Sequence, residues 1–190
     1  RAITGLCARL EDEQRVVREA AVSALTEVAG RGDEQAMNAV CARLEAEQRI
    51  VRKAALWALE QVAERGDERA ITGVCARLED VHEDVRDAAV VCLRQVAEKG
   101  DQWAIISVCD RLAAERWDVR QAAVSALAQV AEKGDEQAIT CVCAHLKHAH
   151  GYVREAALWA LTEVAESGNE RAITAFCACL GDEEKGVRQV

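Results

Sequence analysis

The 34-residue stretch Asp33–Gly66, DEQAMNAVCARLEAEQRIVRKAALWALEQVAERG, decides the architecture. Asp33 opens it with a side-chain oxygen suited to accept from the free N–H groups of a helix start, and Glu34 adds a negative charge in the first turn. Ala36, Met37, Val40, Cys41 and Leu44 then recur on one helical face, which predicts a first helix, A. After a short polar link, Ala54, Ala55, Ala58, Leu59 and Val62 form a second apolar stripe in a run beginning at Val51, helix B. Arg65 and Gly66 close the stretch, a cation for the negative end of helix B and then a residue free to adopt a left-handed backbone.

Two amphipathic helices of about 12 to 16 residues cannot bury both stripes alone, so such a unit must lean on copies of itself. The sequence supplies the copies: moved by 34 residues it superposes on itself almost without gaps, aligning Cys7, Cys41, Cys75, Cys109, Cys143 and Cys177, and also Gly32, Gly66, Gly100, Gly134 and Gly168. Asp33, Asp67, Asp101, Asp135 and Asn169 stand at each helix-A start. The chain therefore reads as a single continuous array of units 1–34, 35–68, 69–102, 103–136, 137–170 and the partial unit 171–190, about five and a half units. A longer period overlies it. Units one and four share Ala-Ala-Val-Ser-Ala-Leu at Ala20 and Ala122, and units two and five share Ala-Ala-Leu-Trp-Ala-Leu at Ala54 and Ala156, as duplication of a three-unit block would produce. No polar capping unit stands at either end, so the chain is expected to be a fragment of a longer array. Composition agrees with an all-helical array, since proline is absent, aromatics are 3% of residues and the few bulky side chains would not fill one large core.

The phrase Val-Arg-x-Ala-Ala-x-x-Ala-Leu, at Val17–Leu25, Val51–Leu59, Val119–Leu127 and Val153–Leu161, resembles the second helix of HEAT repeats, and the resemblance covers the whole chain. The short 34-residue period looks most like the HEAT-like units of phycobilisome lyases. Two features depart from the pattern: the usual helix-A proline is missing, and Cys92 replaces the last alanine of the phrase in the third unit. Tetratricopeptide and ankyrin signatures are not filled. The resemblance implies an all-α, right-handed α-solenoid whose B helices line a concave surface used to hold partners, usually proteins. It also implies an alternative, a phycobilin-lyase-like or assembly factor for a pigment–protein complex. The HEAT-like deoxyhypusine hydroxylases hold two irons on several His-Glu pairs, and only His82-Glu83 occurs here.

The charge balance of 24 Lys+Arg against 33 Asp+Glu gives a net charge of -9, with no basic run to track a phosphate backbone, so nucleic acid is not an expected partner. No stretch is apolar for long enough to span a bilayer, and direct membrane insertion is not expected. Nine cysteines, with the repeating ones too far apart for disulfides, are expected as free thiols and point to an intracellular, reducing compartment: cytoplasm, nucleus or plastid stroma. The repeating arginines, Arg18, Arg52, Arg86, Arg120, Arg154 and Arg188, read as a structural ladder that bonds loop carbonyls or acidic neighbours such as Asp67. Cys141, His145 and His148 share one helix face, with His150 just beyond and Cys179 at the next unit's equivalent of His145. That set reads either as a zinc site or as surface histidines. No phosphate loop or nucleophile–base pair is apparent, so the chain is read as non-enzymatic and without a cofactor.

What changes between units is more informative than what repeats. On the side of helix B away from the core, centred near Val28, one row holds Ser23, Trp57, Val91, Ser125 and Trp159, and the next Thr26, Glu60, Arg94, Ala128 and Thr162. Large indoles on an exposed row suit interface anchors, although each could instead fold over the seam between helices. The expected contact residues for a protein partner on the concave face are Trp57, Val91 and Trp159, with Lys53, Glu60, Asp87 and Arg94 setting register. Trp103 and Trp117 are expected to cover helix ends.

Overall fold

A computed structural model describes residues 1–190 and contains only helices joined by short turns. It comprises two compact units, Arg1–Glu98 and Lys99–Val190. In the first, the A helices are α1 (Ala2–Arg9), α3 (Glu34–Cys41) and α5 (Glu68–Arg77), and the B helices are α2 (Arg15–Val28), α4 (Arg49–Val62) and α6 (Glu83–Val96). Each A helix packs on the B helix that follows it, α4 lies between α2 and α6, and α3 lies between α1 and α5. The second unit repeats the plan with A helices α7 (Gln102–Cys109), α9 (Glu136–His145) and α11 (Glu170–Cys179), and B helices α8 (Trp117–Val130), α10 (Gly151–Val164) and α12 (Lys185–Gln189). The five complete B helices are each 14 residues long, whereas A helices run only 8 to 10. Helix A is shorter than its periodicity suggests because the last apolar residue of the stripe, such as Leu44 or Leu112, sits in a tight 3-10 turn instead.

The helix starts are made locally. Asp33 accepts from Ala36 N–H, Asp67 from Arg69 and Ala70, Asp101 from Ala104, Asp135 from Gln137 and Ala138, and Asn169 from Ala172, so every helix A after the first has a side-chain cap.

The helix ends are made by the neighbouring repeat. Helix B stops at Val62 and Ala63 is already extended, so Arg65 does not serve the end of its own helix, contrary to the expectation from its place in sequence. Its guanidinium donates to the carbonyls of Arg94 and Gln95 at the end of α6, and Arg31 likewise reaches Glu60 and Ala63 at the end of α4. In the second unit Lys99 reaches Ala128 and Ala131, and Lys133 reaches Thr162. The following glycine completes the joint: Gly32 N–H donates to Val62 O, Gly66 to Val96, Gly100 to Val130 and Gly134 to Val164, each at 2.8 Å. These bonds satisfy carbonyls that a helix C-terminus otherwise leaves unpaired. They require φ near +80° at the glycine, +82° at Gly66. Space is open where a Gly66 side chain would project, so Gly66→Ala should cost about 1–2 kcal/mol through backbone strain alone, with Gly66→Asn closer to wild type. Urea denaturation of the three proteins checks the order.

Leu25, Leu59 and Leu93 in the first unit, and Leu127 and Leu161 in the second, form the buried spine of each unit's B layer, and Ala55, Ala89, Ala123 and Ala157 let the backbones approach. Val28, taken from sequence as the core centre, is exposed, whereas Val62, Val96, Val130 and Val164 are buried. The carbonyl of each buried valine accepts from the glycine N–H of the preceding turn, Gly32, Gly66, Gly100 or Gly134, and no glycine N–H reaches Val28.

The arginine ladder is a clamp on the turn between A and B. Nη1 donates to two carbonyls, six and five residues earlier: Asp12 and Glu13 for Arg18, Ala46 and Glu47 for Arg52, Ala114 and Glu115 for Arg120, His148 and Ala149 for Arg154, and Asp182 and Glu183 for Arg188. Arg86 reaches the Asp80 carbonyl in the same way. The acidic partner is not Asp67, whose carboxylate is committed to its helix start. It is Asp80 for Arg52 and Asp182 for Arg154, each one turn further along the array.

Candidate partner-binding grooves

Helix B turns its variable row outward. Ser23, Trp57, Val91, Ser125 and Trp159 are all exposed, which follows from their lying opposite the leucine spine on a 3.6-residue helix. Thr26, Arg94 and Thr162 in the adjacent row are exposed as well, while Glu60 and Ala128 are half-buried.

In the first unit this surface forms an open groove of ≈ 590 Å³ across α2, α4 and α6. Trp57, 38% exposed, stands in it with Ile50, Ala54, Ala88 and Val91. Its rim is charged and largely self-paired: Arg15 meets Glu19 at 2.5 Å, and Lys53 and Arg49 meet Asp84 at 3.0 and 3.6 Å. The hydrogen bond from Lys53 is the main reason the Asp84 carboxyl is held below its ordinary value. Glu60 also lines the groove, and burial pushes its carboxyl up, with Arg94 opposing in part. Of the residues expected from sequence, Lys53, Trp57, Glu60, Asp87 and Val91 therefore share one groove. Arg94 is not part of its lining, and its charge favours the ionised form of Glu60, which is.

Trp159 belongs to the second unit. There a groove of ≈ 390 Å³ lies between α8 and α10, lined by Trp117, Arg120 and Gln121 on one stripe and by Tyr152, Glu155, Ala156 and Trp159 on the other. Trp117 does not cover a helix end. It is the first residue of α8, three positions before Arg120, so it stands on the same face, 66% exposed. The two grooves are built from equivalent positions three repeats apart: Arg15 and Trp117, Arg18 and Arg120, Ile50 and Tyr152, Lys53 and Glu155, Trp57 and Trp159. Arg15, Arg49, Ile50, Trp117 and Tyr152 were not expected from sequence as contacts, although stepping back three or four positions from Lys53 along helix B leads to Ile50 and Arg49.

All nine thiols are free, and the buried Cys92 lies 3.3 Å from the Leu56 carbonyl. His145 Nδ1 is 3.1 Å from the Cys141 carbonyl, and His148 Nδ1 accepts from the His150 N–H. Those rings are engaged locally, and no group of three or more His, Cys, Asp or Glu side chains converges as a metal site. No helix is long and apolar enough to cross a membrane.

The family model for HEAT repeats matches residues 3–94 and 107–190. Among solved structures, importin beta is similar with a TM-score of 0.59 at 17% identity, over 98% of this chain and 29% of that one. A designed armadillo repeat protein in complex with the peptide (KR)4 is similar with a TM-score of 0.47 at 18% identity, over 98% of this chain and 95% of that one. No curated protein matches the chain by sequence comparison.

Proposed function

The chain belongs to the HEAT-repeat family, and from that premise we propose that it is a non-catalytic scaffold that holds a protein partner along the concave face lined by its B helices. The observation that carries the reading is the pair Trp57 and Trp159. Repeat positions are spent on the spine, the clamps and the joints, yet these two indoles are left 38% and 46% exposed in equivalent grooves. Exposed indoles set in a groove, ringed by residues that can exclude water, are the arrangement from which interface energy is drawn. Lys53, Glu60, Asp87 and Arg94 supply charges that select register more than affinity. The array is read as one series of 34-residue units, and the nine free thiols fit a reducing compartment.

The pigment-handling alternative needs an enclosed apolar pocket, and both grooves are open with charged side chains among their linings. Absorbance of a ligand co-purifying with the protein separates it from the scaffold reading.

Replacing both Trp57 and Trp159 by Ala should lower the affinity for a partner captured from the source organism by at least about tenfold, with the helical circular dichroism signal unchanged. Unaltered affinity in the double variant removes the reading.

A further inference from the structure

The clamp arginines differ in one respect that the repeat makes visible. Arg52 and Arg154 turn the outer edge of the guanidinium, Nε and Nη2, onto a carboxylate in a two-pronged bond: 2.6 and 2.9 Å to Asp80, and 2.8 and 2.7 Å to Asp182. Arg120 is buried as deeply, at 6% exposure, and keeps the inner bonds to the Ala114 and Glu115 carbonyls. The position that holds Asp80 and Asp182 is occupied in its case by His148, whose ring nitrogen accepts from the His150 N–H. Both side-chain hydrogen bonds of Arg120 are made by Nη1, so its Nε and Nη2 carry none to the protein. In place of a carboxylate, the Tyr152 ring lies 4.5 Å from the guanidinium carbon. A guanidinium cannot shed its proton to relieve burial, and its planar fork matches a carboxylate.

Arg120 lines the second groove together with Trp117, Tyr152 and Trp159. We propose that this groove receives an acidic side chain of the partner, its carboxylate completing the open fork of Arg120 and its neighbouring apolar residues resting on Trp117 and Trp159. The inference rests on the scaffold reading and adds the partner's chemistry. Glu155, the one carboxylate in the lining, does not occupy the fork. It leans toward α12, where its Oε2 is 2.7 Å from the point at which a Gly186 Cβ would stand. A carboxylate suits the site better than a phosphate, because the protein's own two filled forks hold a single carboxylate and the chain carries a net charge of -9.

The test uses the tripeptide acetyl-Leu-Asp-Leu-amide, its Asn counterpart, and the indole N–H signals of the four tryptophans in an ¹⁵N-labelled chain, assigned from single Trp variants. The Asp peptide should move the Trp117 and Trp159 signals and leave Trp103 in place, with the Asn peptide binding on the order of tenfold more weakly. His148→Asp should place a carboxylate of the chain itself in the fork, and so reduce peptide binding by a similar factor while leaving the circular dichroism unchanged and the thermal midpoint no lower. Equal binding of the Asp and Asn peptides, undiminished binding by His148→Asp, equal movement of all four indoles, or no movement of any signal at millimolar peptide overturns the assignment. Failure here, with the Trp57/Trp159 double variant still losing its partner, removes only the carboxylate. Retention of the partner by that double variant removes the scaffold reading itself.

Discussion

Arg52→Ala is expected to destabilise the chain by about 3–5 kcal/mol, read from urea denaturation at neutral pH. The substitution removes the clamp on the Ala46 and Glu47 carbonyls and strands Asp80, whose side chain is only 4% exposed, with the hydrogen bonds it has near His82. An ionised carboxylate left in such a place is among the more costly defects a small fold can carry. Asp80→Ala should cost less, about 2–3 kcal/mol, because Arg52 would keep its two carbonyls, as Arg18 and Arg120 already do without an acidic partner. The order of the two variants tests whether the carbonyl clamp or the ion pair holds the turn. Acid gives a second reading of the same pair. Burial raises the Asp80 carboxyl, but hydrogen bonds from Arg52 and from the His82 backbone N–H outweigh it, so its value in the folded chain lies below the ordinary one. The stability it contributes is complete above about pH 4, the unfolded value, and is lost as pH falls through the lower folded value. The gap between wild type and Arg52→Ala should therefore narrow on titration from pH 5 towards about 2, and a gap that stays constant excludes Asp80 as the main cause.

The second large effect is in the B-layer spine. Leu59→Ala should cost about 3–4 kcal/mol, since Leu59 is fully buried on α4, the helix packed on both sides in the first unit. Two residues away on the same helix, Trp57→Ala should cost only about 1–2 kcal/mol despite removing a larger side chain, because Trp57 keeps over a third of its surface in water. Chemical denaturation of both variants is the measurement. An inversion of their order places Trp57 in the core and takes it away from the partner. Repeat arrays are held by nearest-neighbour packing, so the Leu59→Ala transition should also broaden as the flanking helices uncouple.

Much of the fold and part of the candidate site were legible in sequence, and the line between legible and hidden is physical. Asp33, Asp67, Asp101, Asp135 and Asn169 cap helices as expected because a cap acts within three residues of itself. The outward row through Trp57, Val91 and Trp159 followed from helical periodicity, which is also local. Arg65 was misassigned to its own helix because its acceptors, the Arg94 and Gln95 carbonyls, lie 29 and 30 residues on. Asp80 was missed as the partner of Arg52 for the same reason, at a separation of 28 residues. The grooves needed both helices of a pair: Trp117 looks like a loop residue until α8 is seen to begin on it and Trp159 stands across from it.

By itself, then, the sequence determined the unit: two helices, their starts, their apolar stripes and the obligation to stack, all of which are settled by residues within about one or two turns of one another. The tertiary structure alone decided where one repeat's glycine, basic residue and arginine fork spend their hydrogen bonds on the next, and which exposed side chains share a groove. Those outcomes depend on how neighbouring helices are placed in space, and a bond's partner thirty residues away carries no local signature in the chain.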